Sequence, residues 1–263
     1  YLAALVAALD DLRREWQAQG APFTLAEAIF VEDAAIDDSG ARIDQLAREH
    51  SWIVPLHLAR NFGQHPATIV GILHSSGDWV VTMDEDLQHR PEVIATLLRK
   101  AVTEHADIVY ANPVSTVHDA AIRDWTSRSF KRMMQWLTDN PNLSSFNSFR
   151  LIRGPVARAA ASVCSHDTYL DITLGWFTQS IRAIRIEMKD ERYIKTKRSG
   201  YSLKSLLSHG WRMIFSSQIK LLRIGSVLGL ATMALSVLAA IYFLLVKLFS
   251  PAEIAVEGWT SLF

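Results

Sequence analysis

Cysteine is almost missing from this chain: Cys164 is the single one in 263 residues. That excludes a small fold stapled by disulfides and suits a reducing compartment. Net charge is missing as well, since 27 Lys and Arg balance 27 Asp and Glu. Nothing global therefore recommends nucleic acid as a partner. Charged residues are also absent from Ile224 to Val246, a local absence of the kind that marks a membrane span. At this length the chain can hold one large core or two modest ones.

The stretch that organises the rest is Gly77-Asp78-Trp79-Val80-Val81-Thr82-Met83-Asp84-Glu85-Asp86-Leu87-Gln88-His89-Arg90-Pro91-Glu92. Trp79 to Met83 is an apolar run of the length and composition of a buried strand. It ends in three acids, and Pro91 then opens a helical pattern at Val93, Ile94, Leu97 and Leu98. Asp84 and Asp86 thus stand where a strand leaves the sheet, the usual ligand position of open α/β sheets. Two carboxylates at this spacing can approach one hard divalent cation that keeps room for substrate phosphates. A solvated acidic turn starting a helix explains the same residues.

Arg60-Asn61-Phe62-Gly63, then Gly71, Gly77-Asp78, the strand, Asp84-x-Asp86-Leu87-Gln88 and Pro91-Glu92 together resemble the family-2 glycosyltransferases. The similarity is to the membrane branch that includes dolichol-phosphate mannose synthase and the bacterial polyprenyl-phosphate (undecaprenyl-phosphate) sugar transferases. It runs from about Ile29 to Gly225. The resemblance implies an α/β, GT-A nucleotide-sugar-binding fold with a mostly parallel central sheet. It also implies Mg2+ or Mn2+ at Asp84 and Asp86, which double as the catalytic pair. Nucleotide contacts are implied at Glu32, Asp33, Asp37, Asp84 and Gln88. The family's loop V-D-D-G-S-x-D-x-T is met here by Asp33, Asp37 and Ser39, with Glu32 for the first aspartate and Ala34 for the glycine. An acidic turn capping the helix that follows accounts for the same loop.

In chain order, Leu2, Leu5, Val6, Leu9, Leu12 and Trp16 share one helical face. With no strand ahead of it, this helix reads as a truncated start, the family's first strand lying upstream. Strands are expected at 27–31, 52–58, 79–83, 107–110 and 181–188, with helices from 41, through 73 and from 91 to about 105. Strand and helix alternate, as in a sheet covered on both faces. His65 and His89 lie near the acids but lack metal-binding spacing, and they read as polar rim residues. Further on, Arg123 and Ser127 share a helical face, and the family resemblance makes them, with Arg150 and Lys197, holders of the acceptor phosphate. Some relatives place an aspartate before the Phe-Arg pair, where this chain has Ser148.

Arg192, Lys195, Lys197, Arg198, Lys204, Arg212, Lys220 and Arg223 face no acid over their span, and apolar residues interleave them. That pattern describes an interfacial amphipathic helix, or a helix docked on the globular domain. The uncharged run that follows, about 23 residues, spans roughly 34 Å as a helix, enough for a bilayer core. The preceding basic segment assigns the catalytic domain to the cytoplasmic side. Expected divisions are a transferase domain at 1–194, a juxtamembrane segment at 195–223, a transmembrane helix at 224–249, and a turn plus the start of a second span at 250–263.

The expected protein is an inverting transferase of the plasma (inner) membrane, multi-pass at full length. It would move one sugar from a nucleotide-diphosphate sugar to a polyprenyl phosphate. Its partners are those two substrates, the lipid bilayer and, optionally, further copies in a homo-oligomer. Two other readings compete. A processive polysaccharide synthase would carry Q-x-x-R-W, but Ala183 follows Gln179 and Arg182. A catalytically weakened nucleotide- or lipid-binding scaffold would fit the changes at Glu32, Ala34 and Ser148.

Overall fold

The computed structural model describes residues 1–114, 146–165, 168–186 and 219–249. The chain forms two compact units, Tyr1–Ser216 and Ser217–Phe263. In the first, helix α1 (Leu2–Ala18) buries Leu5, Val6, Leu9, Leu12 and Trp16, the expected stripe at three- and four-residue spacing. Strand β1 (Ala28–Glu32) and strand β2 (Ile53–His57) pair in parallel through helix α2 (Ser39–Glu49). Helix α3 (Gln64–His74), strand β3 (Trp79–Thr82), helix α4 (Val93–Thr103) and strand β4 (Ile108–Pro113) follow. After them come strand β5 (Arg150–Arg153), helix α5 (Gly154–Ser162), helix α6 (Leu170–Phe177) and strand β6 (Ile181–Ile186).

The α/β class holds, but the sheet is mixed where a mostly parallel one was expected. β1 and β2 form one parallel pair, and the second sheet has the order β3-β5-β4-β6. β4 and β6 are parallel, whereas β5 runs antiparallel to both β3 and β4. The short Arg-Leu-Ile-Arg strand fills the space between β3 and β4. It stays there because the chain can turn at once into α5. Gly154 donates its amide to the Asp78 carbonyl at 2.6 Å, and a Cβ at Gly154 would lie 2.2 Å from the Gly77 carbonyl oxygen. Only glycine allows that approach. Among the described residues β3 lies at one edge of the second sheet.

β1 and β3 are not paired, yet they are tied at both ends. Before them, the Ser76 amide and hydroxyl donate to Glu27 at 2.7 and 2.8 Å. Beyond them, Gly63 and Gln64 at the start of α3 reach Asp33 and Asp84, the acids just after the two strands. A cleft of about 1670 Å³ lies between, lined by Ala28 to Val31 on one side and Trp79 to Met83 on the other.

In the second unit, helix α7 (Ile219–Phe249) has 31 residues, about 46 Å at helical rise. Its Gly225–Phe249 portion is long and apolar enough to cross a membrane. The Thr232 hydroxyl donates to the Leu228 and Gly229 carbonyls, and that of Ser236 to Thr232. Those hydroxyls meet their needs inside the helix, as a lipid environment requires.

Candidate functional site

The acids that end β3 sit in a tightly held turn. Leu87 takes a left-handed φ of 62°, costly for a non-glycine residue, and the chain doubles back so that His89 meets Asp84. The Asp84 amide donates to His89 Nδ1 at 2.8 Å, and the Gln88 amide donates to Asp86 Oδ1 at 3.2 Å. His89 is not the rim residue the sequence suggested. It is 4% exposed and stacks on Phe149, ring centroids 4.7 Å apart at 18°. Burial pushes its imidazole below its ordinary pKa, while Asp84 and Asp86 pull it the other way.

Both oxygens of Asp84 are engaged. Gln64 Nε2 donates to Oδ1 at 2.7 Å and Ser148 Oγ donates to Oδ2 at 3.1 Å. Ser148 thus supplies a neutral donor to Asp84 where an aspartate would set a second carboxylate against it. Gln64 begins α3, and the residue before it, Gly63, has φ 92°, a conformation reserved in practice for glycine. From the other side, Asp33 at the end of β1 accepts the Phe62 amide at 2.7 Å and the Gly63 amide at 2.6 Å. Asp33, the Arg60 to Gly63 turn, Gln64, Asp84 and Ser148 are therefore one connected arrangement across four loops.

The other expected nucleotide residues lie along the β1–α2 loop. Glu32 accepts the Ala35 amide and meets His57 Nδ1 at 3.5 Å. Asp37 is exposed and accepts both the amide and the hydroxyl of Ser39. The Ser39 hydroxyl holds its carboxyl below the usual range. Those contacts are what a helix-entry turn makes; Asp37 stays exposed, whereas the Glu32 side chain is only 11% exposed. Ala34, where the family has glycine, keeps a left-handed φ of 52°.

Arg150 is turned inward. It is 3% exposed, its Nη1 pairs with Asp171, and the Tyr110 hydroxyl joins the same carboxylate oxygen at 2.7 Å. In this arrangement the guanidinium binds Asp171 and does not project outward. Arg123, Ser127, Lys197 and most of the basic segment lie outside the described residues. Sequence reasoning passed over Gln64 and the inward role of His89. The signal for the first was its place directly after Arg60-Asn61-Phe62-Gly63, and for the second its place in the acidic turn.

Among the described residues no group of three His, Cys, Asp or Glu could by itself hold a metal ion. The pair Asp84 and Asp86 fits an ion whose other ligands come from outside the protein. Mg2+ is commonly held by one or two carboxylates together with substrate phosphates and water, so a diphosphate could complete a site that two carboxylates begin.

Asp33, Asp84 and Asp86, from two strand ends, line the same cleft. Comparison with known proteins names the class: a model described as Glycosyl transferase family 2 matches residues 2–158, and the chain belongs to that family. It is 29% identical over 238 residues to an undecaprenyl-phosphate 4-deoxy-4-formamido-L-arabinose transferase of Pseudomonas fluorescens, covering 90% of this chain and 68% of that protein. A protein of the same description from Klebsiella pneumoniae is 28% identical, covering 90% and 71%. Among solved structures, mannosyl-3-phosphoglycerate synthase from Rubrobacter xylanophilus aligns with a TM-score of 0.50 at 12% identity, over 100% of this chain and 75% of that one. That likeness concerns the fold alone.

Proposed function

We propose that this family-2 glycosyltransferase moves one sugar from a nucleotide-diphosphate sugar to a polyprenyl phosphate at the cytoplasmic face of the inner membrane. The observation that carries the reading is the joining of Asp33 and Asp84 through Gly63 and Gln64, in a chain that matches undecaprenyl-phosphate transferases over 90% of its length. The apolar helix Gly225–Phe249 supports lipid as the acceptor's setting. A multi-pass arrangement, with a further span after 250, belongs to the same reading.

The GT-A description fits if one further strand lies between β1 and β3, whose facing edges border the cleft. Asp37, whose carboxylate is exposed, would meet the nucleotide together with Gln88 and the inner Glu32. Asp33 would act by shaping the Arg60 to Gly63 turn. Asp86, flanked by Asp84, would hold Mg2+ or Mn2+ with the diphosphate. When bound, such an ion neutralises charge on the leaving nucleotide diphosphate. A phosphate oxygen of the acceptor forms the new bond to the anomeric carbon as the bond to the diphosphate oxygen breaks, inverting that carbon. A phosphate monoester is already mostly anionic at neutral pH, so the protein must position it more than deprotonate it. Arg123, Ser127 and Lys197 are the candidates for that task. Arg150 would support the loop from within.

The test is transfer of labelled sugar from nucleotide sugars into a polyprenyl-phosphate fraction. Asp86→Asn should lower it on the order of a hundredfold or more with folding unchanged, and chelation of divalent ions should do the same. Full transfer by that variant would remove the metal reading. Polymer formation without lipid acceptor would replace the lipid reading with a processive one.

A further inference from the structure

We infer that His89 is a positioning residue that fixes the main chain of the Asp84–Asp86 turn, and through it the placement of both carboxylates. The inference rests on the donor-site reading of that turn. The Asp84 amide is partly buried and needs an acceptor. Within this turn the acceptor is not a carbonyl but the His89 ring, with Nδ1 at 2.8 Å. A ring nitrogen that accepts from an amide carries no proton, so His89 is the tautomer with hydrogen on Nε2.

The ring is anchored independently of that bond. It lies against Phe149, itself fully buried, and Phe149 directly follows Ser148, the residue whose hydroxyl grips Asp84 Oδ2. The two residues just before β5 therefore hold Asp84 twice, by its carboxylate through Ser148 and by its backbone through the Phe149-stacked His89. Leu87, at φ 62°, is strained in a way that persists only when surrounding contacts fix the turn. His89 is the contact that closes it. Because the ring is 4% exposed, it acts on the acids and not on substrate.

Two substitutions separate the acceptor from the ring. His89→Phe keeps an aromatic partner for Phe149 but cannot accept the Asp84 amide. His89→Asn gives up the ring and offers Oδ1 near the former place of Nδ1. In the unsubstituted protein, nitrogen NMR of labelled imidazole should show His89 neutral, with Nε2 protonated and Nδ1 not. Sugar transfer by His89→Phe should fall roughly tenfold or more, as small misplacements of reacting groups do. Most of the loss should be in kcat, and His89→Asn should recover much of it. A protonated Nδ1, or a folded His89→Phe protein that transfers at the unsubstituted rate, would overturn the inference. If the unsubstituted protein moved no sugar to polyprenyl phosphate, the functional reading would fall. The NMR measurement would still decide the contact, and it also decides if His89→Phe does not fold.

Discussion

Arg150 of β5 and Asp171 of α6 form an ion pair with 4% and 2% of their side chains exposed. Tyr110 adds its hydroxyl to the same carboxylate, and burial raises that phenol well above its ordinary pKa, so it stays a donor. Arg150 Nε has no hydrogen-bond partner among the described residues. Removing one partner of such a pair leaves a charge stranded in the core. Asp171→Ala should cost about 3–5 kcal/mol, and Arg150→Met a similar amount, while replacing both with apolar residues should recover most of the loss. Urea unfolding of the detergent-solubilised protein measures each. A loss below about 1 kcal/mol for Arg150→Met, the range of exposed pairs, would show that the guanidinium is not held as described.

Ala34 offers a substitution in the stabilising direction. Its φ of 52° is the left-handed region, where a Cβ meets the following carbonyl oxygen. Ala34→Gly should therefore raise stability by about 1 kcal/mol, less the entropy that glycine adds to the unfolded chain. Gly63→Ala, at φ 92°, should do the reverse and loosen the amides that Asp33 accepts. Thermal unfolding of the two variants checks both signs.

The parts of this fold that local pattern controls are legible in the amino-acid sequence. The stripe from Leu5 to Trp16 and the run from Trp79 into Asp84 and Asp86 are periodic or abrupt enough to declare themselves. The direction of β5 is not legible there, because four residues have no turn signal and their pairing with β3 and β4 is set by distant chain. Arg150 reads as a ligand for phosphate because its partner stands 21 residues away and only packing brings the two together. Asp33 looks like a nucleotide contact for a similar reason. Its partners are backbone amides 29 and 30 residues on, and a backbone donor leaves no mark in the sequence. Both Arg150 and Asp33 are polar side chains turned toward protein, where sequence reading by default turns them toward ligand or solvent.

His57 makes a prediction about pH. It joins Asp44 of α2 at 2.9 Å and Glu32 of β1 at 3.5 Å. The hydrogen bond to Asp44 raises its pKa above the ordinary 6.5, with Glu32 adding to the effect. The folded state thus holds the proton more tightly than the unfolded one. The stabilisation is complete below the unfolded value and disappears as pH climbs through the raised folded value. Because the ring is 40% exposed, the effect should be modest and weakened by salt. His57→Asn should flatten the fall in stability between about pH 6 and 8, the window around the ordinary histidine value. An unchanged profile in that variant would show that the two acids do not hold the proton.

The last prediction separates a membrane span from an apolar helix of another kind. Gly225–Phe249 has none of its most apolar window buried against protein, and side chains such as Leu235, Leu238 and Leu244 are more than half exposed. A helix with that much apolar surface needs a solvent other than water. The polar groups it carries are already satisfied, because Ser236 donates to the Thr232 carbonyl. Replacing that hydroxyl should accordingly matter little, and Ser236→Leu should remain in membranes after alkaline extraction. Leu235→Arg one position away places a charge near the middle of the span, at a cost of about 2.5–3.5 kcal/mol for insertion. That variant should shift substantially into the alkaline-soluble or degraded fraction, with a second arginine at Leu238 completing the loss. If both arginine variants stayed embedded and required detergent for release, the helix would not be the anchor, and attachment would have to come from elsewhere in the chain.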